Sequence, residues 1–195
     1  MKSRLFSFLM ILVLSASFAV AQDKGKISFA VLGGVNFQNL NGKGITGDKR
    51  ANDMILGYHF GGNVQIPIAP EFYFQPGLLY TTKGAKNTTD KYKLSYIEMP
   101  LNMVYKALLG SGYVMVGFGP YIAYGIGGQV ITKGGLTDIK AFDAGGNIFV
   151  GYEMASGMFL QLNTQFGMLK INPEFPDDKS SVKNTGFGLS LGYRF

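Results

Sequence analysis

From residue 26 to the end of the chain, large apolar side chains recur at every second position, with small or polar residues between them. Successive side chains of a strand point to opposite faces, so a period of two describes strands with one apolar and one polar side. Segment 26–37 sets Ile27, Phe29, Val31, Val35 and Phe37 against Ser28, Ala30, Gly34 and Asn36. Segment 54–67 sets Leu56, Tyr58, Phe60, Val64 and Ile66 against Gly57, His59, Gly61, Asn63 and Gln65. The same rhythm continues over 72–83, 93–106, 113–127, 139–153, 158–168 and 185–195. The pattern predicts eight strands and no helix.

The connections alternate too. Those at 68–71, 107–112 and 154–157 are tight, whereas 38–53, 84–92, 128–138 and 169–183 are longer and rich in Gly, Asn, Asp and Lys. Short turns at one end and long loops at the other predict an all-β, eight-stranded, antiparallel up-and-down barrel, with both ends of the strand region at the short-turn end. Nothing divides 22–195 into further domains.

Such a barrel is either a soluble lipocalin-like container, apolar inside, or a membrane barrel, apolar outside. A face turned to water should be rich in Lys, Glu and Thr. The polar face here is mostly Gly, Asn, Gln and Ser, which suits a crowded lumen. Aromatic residues gather toward both strand ends. Phe72, Phe74, Tyr105, Tyr152, Tyr193 and Phe195 mark the short-turn end, and Phe37, Tyr58, Tyr80, Tyr124, Phe142, Phe166 and Phe187 the long-loop end. Two aromatic girdles around an apolar band are the signature of a transmembrane β-barrel. The strands are long enough to cross hydrocarbon, and closure pairs every backbone group as lipid demands.

The first 21 residues read as an export signal. Lys2 and Arg4 open it, 5–14 is almost wholly apolar, and Ala19-Val20-Ala21 forms a small-residue cleavage site that makes Gln22 the first mature residue. The apolar run falls short of the ~20 residues a spanning helix needs. The expected division is therefore a cleaved signal over 1–21 and a barrel over 22–195, delivered to the outer membrane.

Composition narrows the chemistry. Only 15% of residues are charged while 14% are aromatic, which excludes a disordered chain. With no Cys, disulfides, thiolate metal sites and cysteine nucleophiles are excluded, and one histidine, His59, leaves little room for zinc or triad chemistry. The formal charge of +6 falls to +4 once Lys2 and Arg4 are removed, since 16 basic residues then face 12 acidic ones. The lysines are scattered rather than gathered beside stacking aromatics, so no nucleic-acid partner is expected.

Several stretches carry a family resemblance. They are Phe74-Gln75-Pro76-Gly77-Leu78-Leu79-Tyr80 with Lys83-Gly84, Leu94-Ser95-Tyr96-Ile97-Glu98-Met99-Pro100-Leu101, Gly117-Phe118-Gly119-Pro120-Tyr121, and the closing Gly192-Tyr193-Arg194-Phe195. Through them the chain resembles the PorT-like outer-membrane β-barrel family of Bacteroidota. The resemblance implies an exported eight-stranded barrel, and its named prototype serves protein secretion. Phe195, with Tyr193 two before it, resembles the signal read by the barrel-assembly machinery. Ser190 stands where that signal usually has glycine.

Strand register turns His59, Glu98 and Asp143 inward, toward the long-loop half of the lumen. A His–carboxylate dyad is the enzymatic reading. Against it stand the missing G-x-S-x-G elbow and second histidine, and the rule that buried charges need partners. Lys106, Glu153 and Arg194 form a second inward cluster near the short turns. Glu174, Asp177 and Asp178 suggest calcium but lack EF-hand spacing, and Asn87-Thr88-Thr89 fits a glycosylation pattern that carries no weight in an exported bacterial chain. Paired glycines such as Gly33-Gly34, Gly61-Gly62 and Gly145-Gly146 read as packing positions, since no helix follows to make a phosphate cradle. No catalytic, cofactor-binding or metal-ligating residue is assigned, and no cofactor is expected. The inward Tyr73, Tyr96, Tyr113 and Tyr121 fill an interior that eight strands leave narrow, so a general diffusion pore is not expected. The expected function is that of a non-enzymatic outer-membrane barrel, in contact with lipid, whose loops bind an extracellular or secretion-system protein. The alternatives are a soluble ligand-binding barrel and an outer-membrane hydrolase.

Overall fold

The computed structural model describes residues 26–43, 54–86, 91–131, 142–169 and 181–195. They form eight strands: β1 (Ser28–Lys43), β2 (Ile55–Ala69), β3 (Phe72–Lys86), β4 (Lys91–Leu109), β5 (Gly112–Ile131), β6 (Phe142–Glu153), β7 (Met158–Gly167) and β8 (Ser181–Arg194). Each pairs antiparallel with its neighbours in sequence, and β1 pairs with β8, closing the barrel. The last backbone N–H is used as well: Phe195 N donates to Phe29 O at 2.8 Å.

The alternation sorts as the sequence predicts. Phe29, Val31, Leu56, Phe60, Leu78, Phe118, Ile148, Leu162 and Leu191 face outward and are exposed, while Asn36, His59, Asn63, Gln65, Glu98, Asn102, Asp143 and Asn147 are buried in the lumen. A soluble container requires the opposite sorting. The outward aromatics pair at both ends. Phe72 lies 5.1 Å from Tyr105 and Tyr193 lies 5.0 Å from Phe195, ring centre to ring centre, beside the short turns. Toward the other end, Phe37 stacks on Phe187 at 5.1 Å and Tyr80 on Phe60 at 5.2 Å.

Two features go beyond the sequence reading. First, several strands run further at the long-loop end than the apolar alternation does. β1 and β8 stay paired until Lys43 meets Ser181, and β3 and β4 until Lys86 meets Lys91. Backbone pairing continues where the side chains have become polar. Second, the lumen has an apolar layer of Ala30, Leu32, Val104, Met115, Phe149 and Phe159. Inward glycines make room for it. A Cβ on Gly117 would run into the Phe149 ring, and one on Gly192 into the Phe159 ring.

Candidate functional site

Among the described residues, the lumen gathers ionisable side chains in two clusters. In the cluster nearer the long connections, β3 supplies Lys83, β4 Glu98 and β6 Asp143. The Lys83 ammonium lies 2.7 Å from Glu98 Oε2 and 3.4 Å from Asp143 Oδ2, with all three residues essentially inaccessible. Tyr121 donates its hydroxyl to Asp143 Oδ2 at 3.2 Å, and Asn184 donates an amide proton to the same oxygen at 2.9 Å. Gln165 donates to Glu98 Oε1. Lys83 also sits 4.3 Å from the centre of the Tyr121 ring and 5.5 Å from that of Tyr96, within cation–π range. One cation is held between two carboxylates.

The second cluster inverts that ratio. Glu153 receives Lys106 at 2.6 Å on Oε1 and Arg194 Nε at 2.8 Å on Oε2. Arg194 further donates to Asn63 Oδ1 at 3.3 Å, and Lys106 lies 4.8 Å from the Tyr113 ring centre and 5.9 Å from that of Tyr73. Across both clusters three cations meet three carboxylates. Buried charges persist in low dielectric only when paired and hydrogen-bonded, and these are.

His59 belongs to neither pair of charges. Its Nε2 lies 2.7 Å from Ser190 Oγ, and Asn163 Nδ2 donates to that same Oγ at 3.3 Å. A base and a hydroxyl at this distance have the geometry of an activated nucleophile. Ser190, however, is completely buried, so no substrate carbonyl can approach its Oγ in this arrangement. Of the residues singled out from sequence, Glu98 and Asp143 come together and His59 is directed to a serine instead. Lys83, which links the two carboxylates, was legible as an inward residue of its strand but not as their partner. The contact between Ser190 and His59 had no signal in the sequence, where Ser190 stood out only for replacing a glycine of the assembly signal. Among the described residues, no group of three or more His, Cys, Asp or Glu could hold a metal ion. Residues 1–21, Asn87-Thr88-Thr89, Glu174, Asp177 and Asp178 lie outside the described residues.

A polar, ion-paired lumen inside an apolar exterior is the layout of a membrane barrel, and the family model for the outer membrane protein beta-barrel domain matches residues 6–195. The chain belongs to that family. Membership places this outer membrane β-barrel in the outer membrane, with its exposed Phe, Leu, Ile and Val side chains against lipid. Among solved structures it is similar to Neisserial surface protein A (NspA), with 15% identity over 88% of this chain and 100% of that one, at a TM-score of 0.53. At that identity the likeness shows the fold alone. The attachment invasion locus protein Ail of Yersinia pestis, solved with the heparin analogue sucrose octasulfate, aligns with 14% identity over 88% of this chain and 100% of that one, at a TM-score of 0.43. No curated protein matches the sequence.

Proposed function

We propose that this outer-membrane barrel is a non-enzymatic, closed scaffold whose long connections bind a protein partner at the cell surface. The narrower version is a PorT-like role as an accessory of protein secretion. The observation that carries the reading is the filled lumen: two ion clusters and an apolar layer occupy the interior. Little but the ends remains for function, and binding residues on rigid scaffolds sit disproportionately in loops. Four connections join strands at the end away from the two-residue turns at 70–71 and 110–111: 87–90, which spans four residues, and three longer ones at 44–54, 132–141 and 168–180. Residues 1–21 act as a cleaved export signal, and the strand ending at Phe195 is the element offered to the barrel-assembly machinery.

Deleting the gene and restoring it with versions in which those three connections are cut to short turns tests this reading. The expected result is a folded barrel in the outer membrane, with the surface or secreted protein profile altered as in the deletion. An unaltered profile in the deletion strain removes the secretion version. N-terminal sequencing of the membrane-extracted protein should start at Gln22.

A second reading, an outer-membrane hydrolase, would use the His59–Ser190 pair and would require that buried pair to open to substrate. Labelling of Ser190 by a fluorophosphonate, lost in His59→Ala, would put that reading in place of the first.

A further inference from the structure

Among the described residues, three consecutive ladders of the barrel are each interrupted over two residues. The pairing of β2 with β3 lapses at 64–65 opposite 75–76, that of β3 with β4 at 77–78 opposite 99–100, and that of β4 with β5 at 101–102 opposite 119–120. Each gap contains a proline: Pro76, Pro100 and Pro120. Proline has no N–H to donate, so in sheets it is confined to edges and bulges, and a closed barrel has no edge. The ladders of β1 with β2 and β8, β5 with β6, β6 with β7, and β7 with β8 have no such gap. The three gaps adjoin along β3 and β4, so they form one oblique seam across the wall.

The lipid side of the wall is hollowed at this seam. An open groove of about 660 Å³ is bordered by Phe29 and Val31 of β1, Val64 of β2, Pro76 and Leu78 of β3, and Met99 of β4. Gly62 and Gly77 line it too, so it reaches down to bare backbone. Both glycines also line a lumenal cavity of about 40 Å³ on the other side of the same wall. No charged residue lines the groove, and its one polar side chain, Asn63, is buried and accepts from Arg194 in the lumen. On β3, Pro76 and Leu78 lie between Phe72 and Tyr80, members of the two aromatic girdles. The groove therefore sits at the depth of the hydrocarbon, where acyl chains are the surrounding matter. A peptide there would carry polar backbone groups into lipid. Apolar side chains and lipid tails have no hydrophobic force between them, so van der Waals contact selects the occupant. A concave surface gives a chain more neighbours than the convex wall elsewhere.

We propose that this groove binds one acyl chain of a membrane phospholipid, which seats over Gly62 and Pro76 and covers the interrupted wall from the lipid side. The site belongs to the barrel wall and stands whether or not the loops bind a partner.

The test is native mass spectrometry of the full barrel, reconstituted in vesicles of phosphatidylethanolamine and phosphatidylglycerol and then extracted in mild detergent. The expected result is one phospholipid retained per barrel, and its loss in Val64→Phe, which fills the groove. Retention of no lipid by the unaltered barrel, or unchanged retention by the variant, would overturn the proposal. So would a free fatty acid in the phospholipid's place, or a lipid-free dimer that Val64→Phe dissociates, which would assign the groove to a second copy. A second measurement uses the unaltered chain alone. A phosphatidylcholine with a diazirine midway along one chain is photolysed in the vesicles, and the labelled residues are mapped. Several-fold more label is expected at Leu78 and Met99 than at Ile148 and Leu162, which are comparably exposed on the opposite wall. Equal labelling would refute a specific site, and this map decides the matter even if Val64→Phe fails to assemble.

Discussion

Lys83 shows how a single side chain can hold a membrane barrel's interior together. It lies at zero exposure between Glu98 and Asp143, and the carboxylates accept from Gln165, Tyr121 and Asn184 on three other strands. Replacing both partners of a buried pair by apolar groups can be neutral, whereas removing one leaves an uncompensated charge and costs about 3–5 kcal/mol. Lys83→Met should therefore lower stability by about that amount in urea titrations of the barrel in lipid vesicles. The triple change with Glu98→Gln and Asp143→Asn should recover most of the loss. A triple variant no more stable than the single one would show that Lys83 acts through packing on Tyr96 and Tyr121 rather than through charge. Ser190 offers a milder case at the same scale. Ser190→Ala removes the acceptor or donor facing His59 and the acceptor used by Asn163, and should cost about 1–3 kcal/mol. The same measurement checks it, with His59→Ala as its partner in a double-mutant cycle. A large coupling between the two is expected, because they touch.

At the level of strands and turns, the tight connection after β2 contains Pro70 and Glu71, and Glu71 has a φ of 64°. That left-handed conformation is disfavoured for residues with a Cβ and mild for Gly or Asn. Glu71 O meanwhile accepts from Lys106 N at 2.8 Å, which fixes the turn against β4. Glu71→Gly should raise stability by roughly 0.5–1 kcal/mol, since the backbone hydrogen bond survives and the strain is relieved. A loss of stability would mean that the glutamate side chain contributes more than its backbone costs. The strands themselves were legible because each buries one face in a filled lumen and turns the other to lipid, a contrast that writes period two into the sequence. What alternation does not encode is which inward residues meet across the lumen. Glu98 and Asp143 stand on strands separated by β5, and their meeting at Lys83 on β3 depends on strand tilt and stagger. The inward Phe149 and Phe159 were equally hard to place. They fit because Gly117 and Gly192 leave gaps for their rings, and two glycines elsewhere in the chain give no local sign of that. Strand ends were read too short at the long loops for a related reason: backbone pairing between Lys43 and Ser181 needs no apolar pattern.

On the scale of the whole molecule, closure removes every sheet edge, and among the described residues ion pairs, carboxamides and an apolar layer occupy the lumen. Heating in detergent should accordingly shift the barrel's gel mobility from a compact to an unfolded form, as closure predicts. Removing Phe195 should slow assembly while leaving the mature barrel's mobility unchanged, because Phe195 contributes one backbone bond to Phe29 and an outward ring beside Tyr193. The more demanding prediction concerns transport. Open channels need about sixteen strands, whereas eight leave an interior that side chains fill. Here those side chains are anchored, since Lys83 cannot swing aside without leaving Glu98 and Asp143 without a counter-ion in low dielectric, and Arg194 not without giving up one of the two cations on Glu153. Purified barrel in planar lipid bilayers should therefore show no steady, large conductance across a range of voltages. Lys83→Ala combined with Glu98→Ala and Asp143→Ala removes the plug nearer the long connections but leaves the apolar layer and the Glu153 cluster in place. That variant should stay closed as well, and steady ion flow through either protein would show that the lumen's packing gives way in the membrane.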